Sequence, residues 1–431
     1  MSEKVRPIDT AARAFIASNV TEPRSDNRNI LAEVHMRRSV VTVAAGLAAL
    51  AVTATGCSGK AAGDKPEIQI GLISPMSGPF AVLGISQQNS LTIEIERINK
   101  AGGLDGSQLK LVTRDSGLDP GKAVQAANEM AGNDAVKLVI GPSLTAFYDA
   151  AKGTYEKSGK LNCQPAVSTG SFADLKYGFR SQDPFDLDGR MVVSWLKQEG
   201  VTSLGLVYEG DDTGKNTDAL MKKLLPEAGI EYLGWQVSRA DDQSHRAYVE
   251  KFGDAGAIMI SSSVGGAKTM AAAAQAGYKG KIVGAGSGMQ NISFIEAAGD
   301  AAKGAVFPAA LYEYPTRKSR SEWMPGYRTH TEAIEQKYGK NVGPKSGAQS
   351  PKGAAITADC LFAFEQAVKS TKSTDAAKLA AAIEALDVPA DKTPSGNAIK
   401  PGPSHEFYHQ VHLYQWNKDG KGWYTTEISP S

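Results

Sequence analysis

The sequence has little net charge, few cysteines and no long apolar run. Its 47 lysines and arginines nearly balance its 46 aspartates and glutamates, so neither nucleic acid nor an acidic surface is the expected main partner. The apolar stretch 40–54 holds roughly 15 residues, fewer than the roughly 20 that a membrane-spanning helix needs. Only three cysteines are present, and two of them, Cys163 and Cys360, are compatible with a disulfide or with two buried thiols.

The apolar stretch ends at the third cysteine and has the features of an export signal. Arg37 and Arg38 precede it, and small residues follow it. Ala54-Thr55-Gly56-Cys57 resembles the lipobox of bacterial lipoproteins, although that box usually carries leucine at the position of Ala54. The resemblance implies that Cys57 is diacylated, and two acyl chains hold a protein stably at a membrane. A secretory signal with an incidental cysteine is the alternative.

The N-terminal part therefore divides into three segments. We predict a lipoprotein signal peptide over residues 36–57 and a flexible tether over residues 58–66, with the mature protein anchored to the outer face of the cell membrane. Residues 1–35 precede a signal that is complete from Met36 and are expected to be a mis-assigned or non-native extension. The mature chain is long enough for two domains of ordinary size.

From Glu67 onward, apolar strands alternate with helices, and the same pattern restarts after residue 183. Asp119-Pro120 predicts a helix start, because aspartate accepts from free N–H groups and proline suits the first helical position. Four Ala-Gly pairs predict helix ends. Alternation of this kind predicts parallel sheets covered on both faces. The predicted strands are 68–73, 109–115, 136–141, 204–209, 231–237, 257–261 and 281–286, and the helix-ending glycines are Gly229, Gly256, Gly277 and Gly299.

The last part of the chain changes character. Helices are predicted over 321–338, 353–370 and 375–386, followed by two strands joined at Lys418-Asp419-Gly420, which is a hairpin signal. We predict an α/β fold with two Rossmann-like lobes whose sheets are parallel. The first lobe is assigned residues 67–182 plus 309–400, and the second is assigned residues 183–308 plus 401–431.

Three segments carry a resemblance to a known family. They are IQIGLISPMSGPFAVLG from residue 68, INKAGGLDGSQLKLVTRDSGLDPGKAVQAANEM from residue 98, and VKLVIGP from residue 136. The chain resembles the type I periplasmic substrate-binding proteins of ATP-binding cassette importers, in particular the Leu/Ile/Val binders. The resemblance implies two lobes joined by three crossovers, which close over a small ligand by a hinge motion. It also implies a permease and its ATPase subunits as partners, a monomeric receptor, no enzymatic activity and no cofactor.

A ligand is expected outside the carboxyl ends of the parallel strands, near helix N-termini. In the first lobe, the loop after the first strand offers an aromatic ring, and the loop after the third strand offers two hydroxyls. The loop 165–170 matches the one by which the family holds a ligand's carboxylate and amino group. Simple N-capping is the alternative for the hydroxyls. The candidate ligand-binding residues of this lobe are Phe80, Ser143, Thr145, Ala166, Ser168 and Thr169.

The second lobe departs from the family pattern. The branched-chain binders carry an acid that neutralises the ligand's ammonium, whereas residues 285–289 read Ala-Gly-Ser-Gly-Met. A buried ammonium without a partner costs several kcal/mol. Either Glu209, Asp183 or Asp188 replaces the acid, or the ligand is an amide, urea, carboxylate or aromatic acid. The candidate residues of this lobe are Glu209, Ser263 and Ser287.

Residues 405–409, HEFYH, fit the H-E-x-x-H zinc motif, which needs a helix to bring its histidines together. Pro401 and Pro403 precede the motif and an alternating strand follows it, so an extended conformation is expected, with the histidines roughly 13 Å apart. No third ligand is nearby, and no metal is predicted. An exported hydrolase is therefore the weakest interpretation, after an importer receptor and a ligand sensor of the same fold.

Overall fold

The computed structural model describes residues 67–166, 170–239, 241–261, 264–284, 289, 292–309, 317–339 and 351–428. The predicted signal peptide, its lipidation residue Cys57 and the tether lie outside these ranges. Within them, no helix combines the length and the apolar character that crossing a membrane requires.

The strands and helices alternate along most of the chain. The strands are β1 (Ile68–Ser74), β2 (Leu109–Asp115), β3 (Val136–Ile140), β4 (Asn162–Gln164), β5 (Gly178–Arg180), β6 (Ser203–Glu209), β7 (Glu231–Ser238), β8 (Ala257–Ile260), β9 (Lys281–Gly284), β10 (Val306–Ala309), β11 (His412–Asp419) and β12 (Gly422–Glu427). The helices are α1 (Ala81–Lys100), α2 (Pro120–Gly132), α3 (Thr145–Ser158), α4 (Phe185–Gln198), α5 (Asp212–Ala228), α6 (Arg246–Glu250), α7 (Val264–Gln275), α8 (Ile292–Ala298), α9 (Pro325–Tyr338), α10 (Pro351–Thr371) and α11 (Ala376–Glu384).

The first sheet contains β1 to β5 in the order β2-β1-β3-β4-β5, and every neighbouring pair is parallel. Side chains alternate between its two faces. Ile70, Leu72 and Ile140 pack into a core with α1 and α10, while Ile73 and Val139 pack on the other face with α2 and α3. Because all five strands run in the same direction, the loops that follow them gather at one edge of the sheet, its carboxyl edge.

The second sheet has the order β12-β11-β10-β9-β8-β6-β7. Neighbouring pairs from β7 to β10 are parallel, and β11 and β12 extend the sheet as an antiparallel hairpin. Phe307 of β10 lies against Tyr414 and Trp416 of β11, with ring centroids 5.9 and 5.7 Å away. The prediction of an α/β fold with two mostly parallel sheets is confirmed.

The chain passes between the two sheets three times, after β5, after β10 and before β11. On its return to the first sheet, α10 packs beside α1. Cys360 of α10 and Cys163 of β4 form a disulfide across 197 residues of sequence, with Cα atoms 5.8 Å apart. Of the two alternatives that the sequence left open for these cysteines, the structure has the disulfide.

The helix-end signals agree with the structure except at one position. Asp119 caps α2 by accepting from the amides of Gly121 and Lys122, at 2.8 and 3.2 Å. Gly229, Gly277 and Gly299 adopt the left-handed conformation predicted for them, whereas Gly256 does not. The helix predicted up to Gly256 ends early, at Glu250, because the buried Phe252 ring fills the space over Gly205 and the chain then enters β8 directly.

Candidate ligand-binding site

Buried polar side chains line the carboxyl edge of the first sheet. Ser74 ends β1, Ser116 follows β2, Ser143 follows β3 and Gln164 ends β4; all four are buried. Polar groups at such a depth normally have hydrogen-bond partners. The partners of these groups therefore indicate what the edge can bind.

Gln87, in the second turn of α1, lies over the ends of β1 and β3. Its Oε1 accepts hydrogen bonds from the Ser74 hydroxyl at 2.6 Å and from the Ser143 hydroxyl at 2.7 Å. Its Nε2 is buried and has no partner among the residues that the structure describes. The sequence did not single out Gln87, because one glutamine among the polar residues of a helix gives no signal of burial.

Gln164 is the next polar residue along this edge. Both polar atoms of its side chain are buried without a partner in the described part of the chain. Gln164 pairs with Arg180 of β5, so their side chains share one face of the sheet. The Arg180 guanidinium lies 5.1 Å from the centroid of Phe172 and forms a buried ion pair with Glu406. Burial lowers the pKa of Arg180, against the opposing effect of Glu406.

The structure places four of the six predicted first-lobe residues at this edge. Phe80 directly precedes α1 and is 49% exposed, Thr145 opens α3, and Ala166 is half-buried two residues after β4. Ser143 is only 2% exposed, and its hydroxyl is engaged by Gln87. Ser168 and Thr169 lie outside the described residues.

The second sheet also has polar residues at its carboxyl edge. Glu209 ends β6, and its Oε1 accepts a hydrogen bond from the Ser261 hydroxyl, which follows β8, at 3.1 Å. Ser238 ends β7, and its hydroxyl is buried with no hydrogen-bond partner within the described ranges. The candidates Ser263 and Ser287 lie outside those ranges.

The two other acids considered for an ammonium lie where the chain leaves the first sheet. Asp183 and Asp188 are both buried; Asp183 lies just before α4, and Asp188 lies in its first turn. The amide of Gln182 donates to Asp183 at 3.3 Å. All three acids that the sequence offered as partners for an ammonium therefore lie near strand ends. Each of them, Glu209, Asp183 and Asp188, also interacts with neighbouring groups of the protein.

The HEFYH segment is not helical. His405 has a φ of 58° and contacts the carbonyl of Gly178 at 2.9 Å, and His409 contacts the carbonyl of Lys400 at 2.8 Å. Glu406 forms the ion pair with Arg180. The segment therefore joins the third crossing of the chain to β5. Over the described residues, no group of three potential metal ligands comes together.

A Ser-His-Glu arrangement elsewhere also lacks the geometry for hydrolysis. His330 contacts Glu94 through Nδ1 at 2.6 Å and Ser90 through Nε2 at 3.0 Å. The single Ser90 hydroxyl proton is donated to the carbonyl of Ala354 at 2.6 Å, so Nε2 of His330 is the donor to Ser90. Burial alone would raise the pKa of Glu94, but His330 and Arg97 hold it at about 2. Ser90, Glu94, His330 and Ala354 are all buried, so these contacts join α1, α9 and α10.

Comparison with known proteins identifies the family. The sequence profile of the family described as periplasmic binding protein matches residues 67–421. The chain belongs to the periplasmic binding protein family. A curated relative, the leucine-, isoleucine-, valine-, threonine- and alanine-binding protein of Pseudomonas aeruginosa, is 27% identical over 364 residues, which cover 82% of this chain and 90% of the relative. The family resemblance predicted from the sequence is confirmed.

Solved structures show that this periplasmic binding protein shares its fold with two ligand complexes. A solute-binding protein of Rhodopseudomonas palustris with 3,4-dihydroxybenzoic acid aligns with a TM-score of 0.69 at 19% identity, covering 84% of this chain and 96% of the other. A branched-chain amino acid binding protein of Streptococcus pneumoniae with isoleucine aligns with a TM-score of 0.69 at 19% identity, covering 84% of this chain and 100% of the other. Both likenesses concern the fold alone.

Proposed function

We propose that this periplasmic binding protein is the solute-binding component of an ATP-binding cassette importer. It captures a small polar ligand between the carboxyl edges of its two sheets. The curated relative is named for the amino acids that it binds, and the two solved structures contain 3,4-dihydroxybenzoic acid and isoleucine. The ligand of this chain is proposed to be an amino acid or a related amide, urea or carboxylate.

One observation carries the proposal: among the described residues, several buried polar groups without hydrogen-bond partners lie at the carboxyl edges of the sheets. Gln87, Ser116 and Gln164 lie at that edge of the first sheet, and Ser238 lies at that edge of the second. A buried polar group that lacks a hydrogen bond costs about 1 to 3 kcal/mol. A fold keeps such groups where a ligand supplies the missing partner, which is the pattern expected of a binding cleft.

The proposed mechanism is closure of two lobes. The first sheet with α1–α3 and α9–α11 forms one lobe, and the second sheet with α4–α8 forms the other. The three crossings act as the hinge, and the closed form is presented to a permease and its ATPase subunits.

Predicted lipidation at Cys57 would keep the monomeric receptor on the outer face of the cell membrane. Replacing Cys57 by Ala should release the protein from membranes, and a variant that stays bound would contradict the anchor.

A thermal-shift screen tests the binding function. The compounds are aliphatic amino acids, their amides, ureas, aliphatic carboxylates and hydroxybenzoates. A ligand that binds only the native state raises the melting temperature, by RT ln(1 + [L]/Kd) in free energy. We expect at least one class to produce a concentration-dependent rise. A screen in which no class does so would overturn the proposed function.

A further inference from the structure

A cavity lies beside β5, on the outer side of the first sheet. Its volume is about 340 Å³, and its lining comes from α11, from Leu175 and Lys176 before β5, and from Pro403 and His405 in the third crossing. His405 contacts the carbonyl of Gly178, the first residue of β5, so the cavity lies near the start of that strand. The carboxyl edge is at the other end of the strands, so this cavity is separate from the proposed cleft.

One buried side chain lines this cavity with a nitrogen that lacks a hydrogen bond. His405 is only 7% exposed, and its ring stacks on Phe179 with the centroids 4.3 Å apart. Its Nδ1 donates to the carbonyl of Gly178, because a carbonyl only accepts, so Nε2 of the neutral ring is an acceptor. Within the described part of the chain, Nε2 makes no hydrogen bond and lies 3.9 Å from Oε2 of Glu384.

The gap between His405 and Glu384 matches a donor that bonds to both. At 3.9 Å the two atoms are too far apart for a mutual hydrogen bond, whereas a nitrogen roughly 2.8 Å from each fits between them. Both atoms accept, so the group between them must supply at least two N–H or O–H bonds. Water supplies two but carries no charge. An ammonium supplies three, and the negative charge of Glu384 attracts it.

The rest of the cavity complements an aliphatic chain and a carboxylate. Ala380 and Ala381, with Ala377 one turn earlier on α11, form an apolar wall, and Leu175 adds to the apolar lining. Lys176 also lines the cavity, and its ammonium pairs with no carboxylate of the described residues. Two acceptors, an apolar wall and a cation therefore border the same space.

We propose that this cavity is a second binding site, for an aliphatic α-amino acid. The ligand's ammonium lies between Nε2 of His405 and the carboxylate of Glu384. Its carboxylate lies toward Lys176, and its side chain packs on the alanines of α11. The site uses one lobe and the third crossing only, so it does not depend on the proposed cleft between the lobes.

NMR of the histidine rings in protein labelled with ¹⁵N-histidine tests this site. The chain has six histidines, and His405→Asn assigns the signal of His405, because asparagine tolerates its φ of 58°. The probes are leucine, 3-methylbutylamine, which lacks the carboxylate, and 4-methylpentanoate, which lacks the ammonium. We expect leucine to shift the Nε2 signal saturably, the amine to bind at least roughly fivefold more weakly, and 4-methylpentanoate to leave the signal unchanged.

Two variants remove parts of the site, and each has a matched control. Glu384→Gln removes the negative charge, and we expect the leucine affinity measured at His405 to fall at least roughly tenfold. Ala381→Leu fills the cavity from an exposed position, and we expect the shift to disappear. Asp387→Asn removes an exposed acid outside the cavity, and Ala385→Leu adds the same bulk outside it. Both controls should keep the affinity within about twofold of the natural chain.

A saturable shift of His405 that is lost in Glu384→Gln and Ala381→Leu, and kept in both controls, supports the second site. A shift that these two variants leave unchanged comes from binding elsewhere and overturns it. No shift with leucine up to about 10 mM, or an equal shift with 4-methylpentanoate, also overturns it. The importer proposal is tested separately, by repeating the thermal-shift screen on Ala381→Leu, in which the second site is filled.

Discussion

Both halves of the molecule have apolar cores, but they differ in the contacts that join segments far apart in sequence. Around the first sheet, segments far apart in sequence are joined by charge and by a covalent bond: Glu94 pairs with His330, Arg97 pairs with Glu365, and Cys163 is bonded to Cys360. Around the second sheet, the core is apolar and aromatic, with Phe307 stacked between Tyr414 and Trp416.

The path of the chain explains this difference. Most of the second half is one continuous stretch from α4 to β10. The first half must recover α9, α10 and α11 after the chain has returned from the second half, and its buried polar contacts join these helices to α1 and β4. We therefore predict that reduction of the disulfide and changes of pH lower the stability of the first half more than that of the second.

The largest expected effect comes from the disulfide. Replacing Cys163 and Cys360 together by Ala should lower the free energy of unfolding of the first half by roughly 4 to 5 kcal/mol, because the bond closes a very long loop of the unfolded chain. Differential scanning calorimetry measures the shift. A reductant should lower the melting temperature of the natural chain but not of the double variant. If the oxidised natural chain and the double variant melt at the same temperature, the disulfide does not stabilise the first half and this prediction is wrong.

The second half should respond to loss of aromatic packing. Phe307→Ala leaves a cavity between Tyr414 and Trp416 and should cost about 4 kcal/mol in unfolding free energy. Chemical denaturation at several pH values measures the loss, which should not vary with pH or reductant. Phe80→Ala, at an exposed ring, is the control and should cost less than about 0.5 kcal/mol. If the loss of unfolding free energy in Phe307→Ala depends strongly on pH, the proposed difference between the two halves is wrong.

Loss of the buried ion pair should have a somewhat smaller effect. Glu94→Gln removes the partner of His330 and Arg97 and should cost about 3 kcal/mol near neutral pH. Because the pKa of Glu94 is held at about 2, below its ordinary 4.5, its stabilisation is present above pH 4.5 and lost as pH falls toward 2. The difference in unfolding free energy between the natural chain and Glu94→Gln should therefore become smaller as the pH falls from 4.5 toward 2, which chemical denaturation measures.

Glu96→Gln is the matched control for that experiment. Glu96 lies two residues away on α1 and pairs with Lys337 at the surface. Exposed pairs contribute at most about 1 kcal/mol, so this variant should differ little from the natural chain at any pH. Equal losses in Glu94→Gln and Glu96→Gln would show that burial of the first pair is unimportant.

The smallest expected effect is a pH dependence from Asp359 on α10. Burial raises the pKa of Asp359 to about 7, although Ser395 and Tyr408 donate to its carboxylate. A raised folded-state pKa gives stability that is complete below pH 3.8 and lost as pH rises through 7, which amounts to about 1.4 kcal/mol between pH 6 and 8. Denaturation of Asp359→Asn should lack this decline. A natural chain equally stable at pH 6 and 8 would contradict it.

Sequence reasoning predicted the features that depend on local pattern. The alternation of strands and helices, the cap at Asp119 and the loops at the strand ends follow from short-range signals. The early end of the helix before Gly256 did not, because Phe252 is drawn into the space over Gly205 by tertiary packing. The disulfide likewise depends on the return of α10 to β4, and sequence spacing alone does not specify that return.

The candidate site was predictable in position but not in chemistry. Ser143 was selected for its hydroxyl, yet that hydroxyl contacts the side-chain amide of Gln87, which is 56 residues away in sequence. Gln87 and Gln164 can be recognised only from the structure, which shows that both are buried and that side-chain atoms of both lack partners among the described residues. A single sequence shows which residues follow a strand, whereas the direction of each donor depends on neighbours from other strands.

Hydrogen–deuterium exchange with and without a ligand from the screen tests the central claim most directly. The account predicts slower exchange of backbone amides at both carboxyl edges, near Ser143 and Gln164 in the first sheet and near Glu209 and Ser238 in the second. Protection confined to one sheet, or located away from both edges, would contradict binding between them.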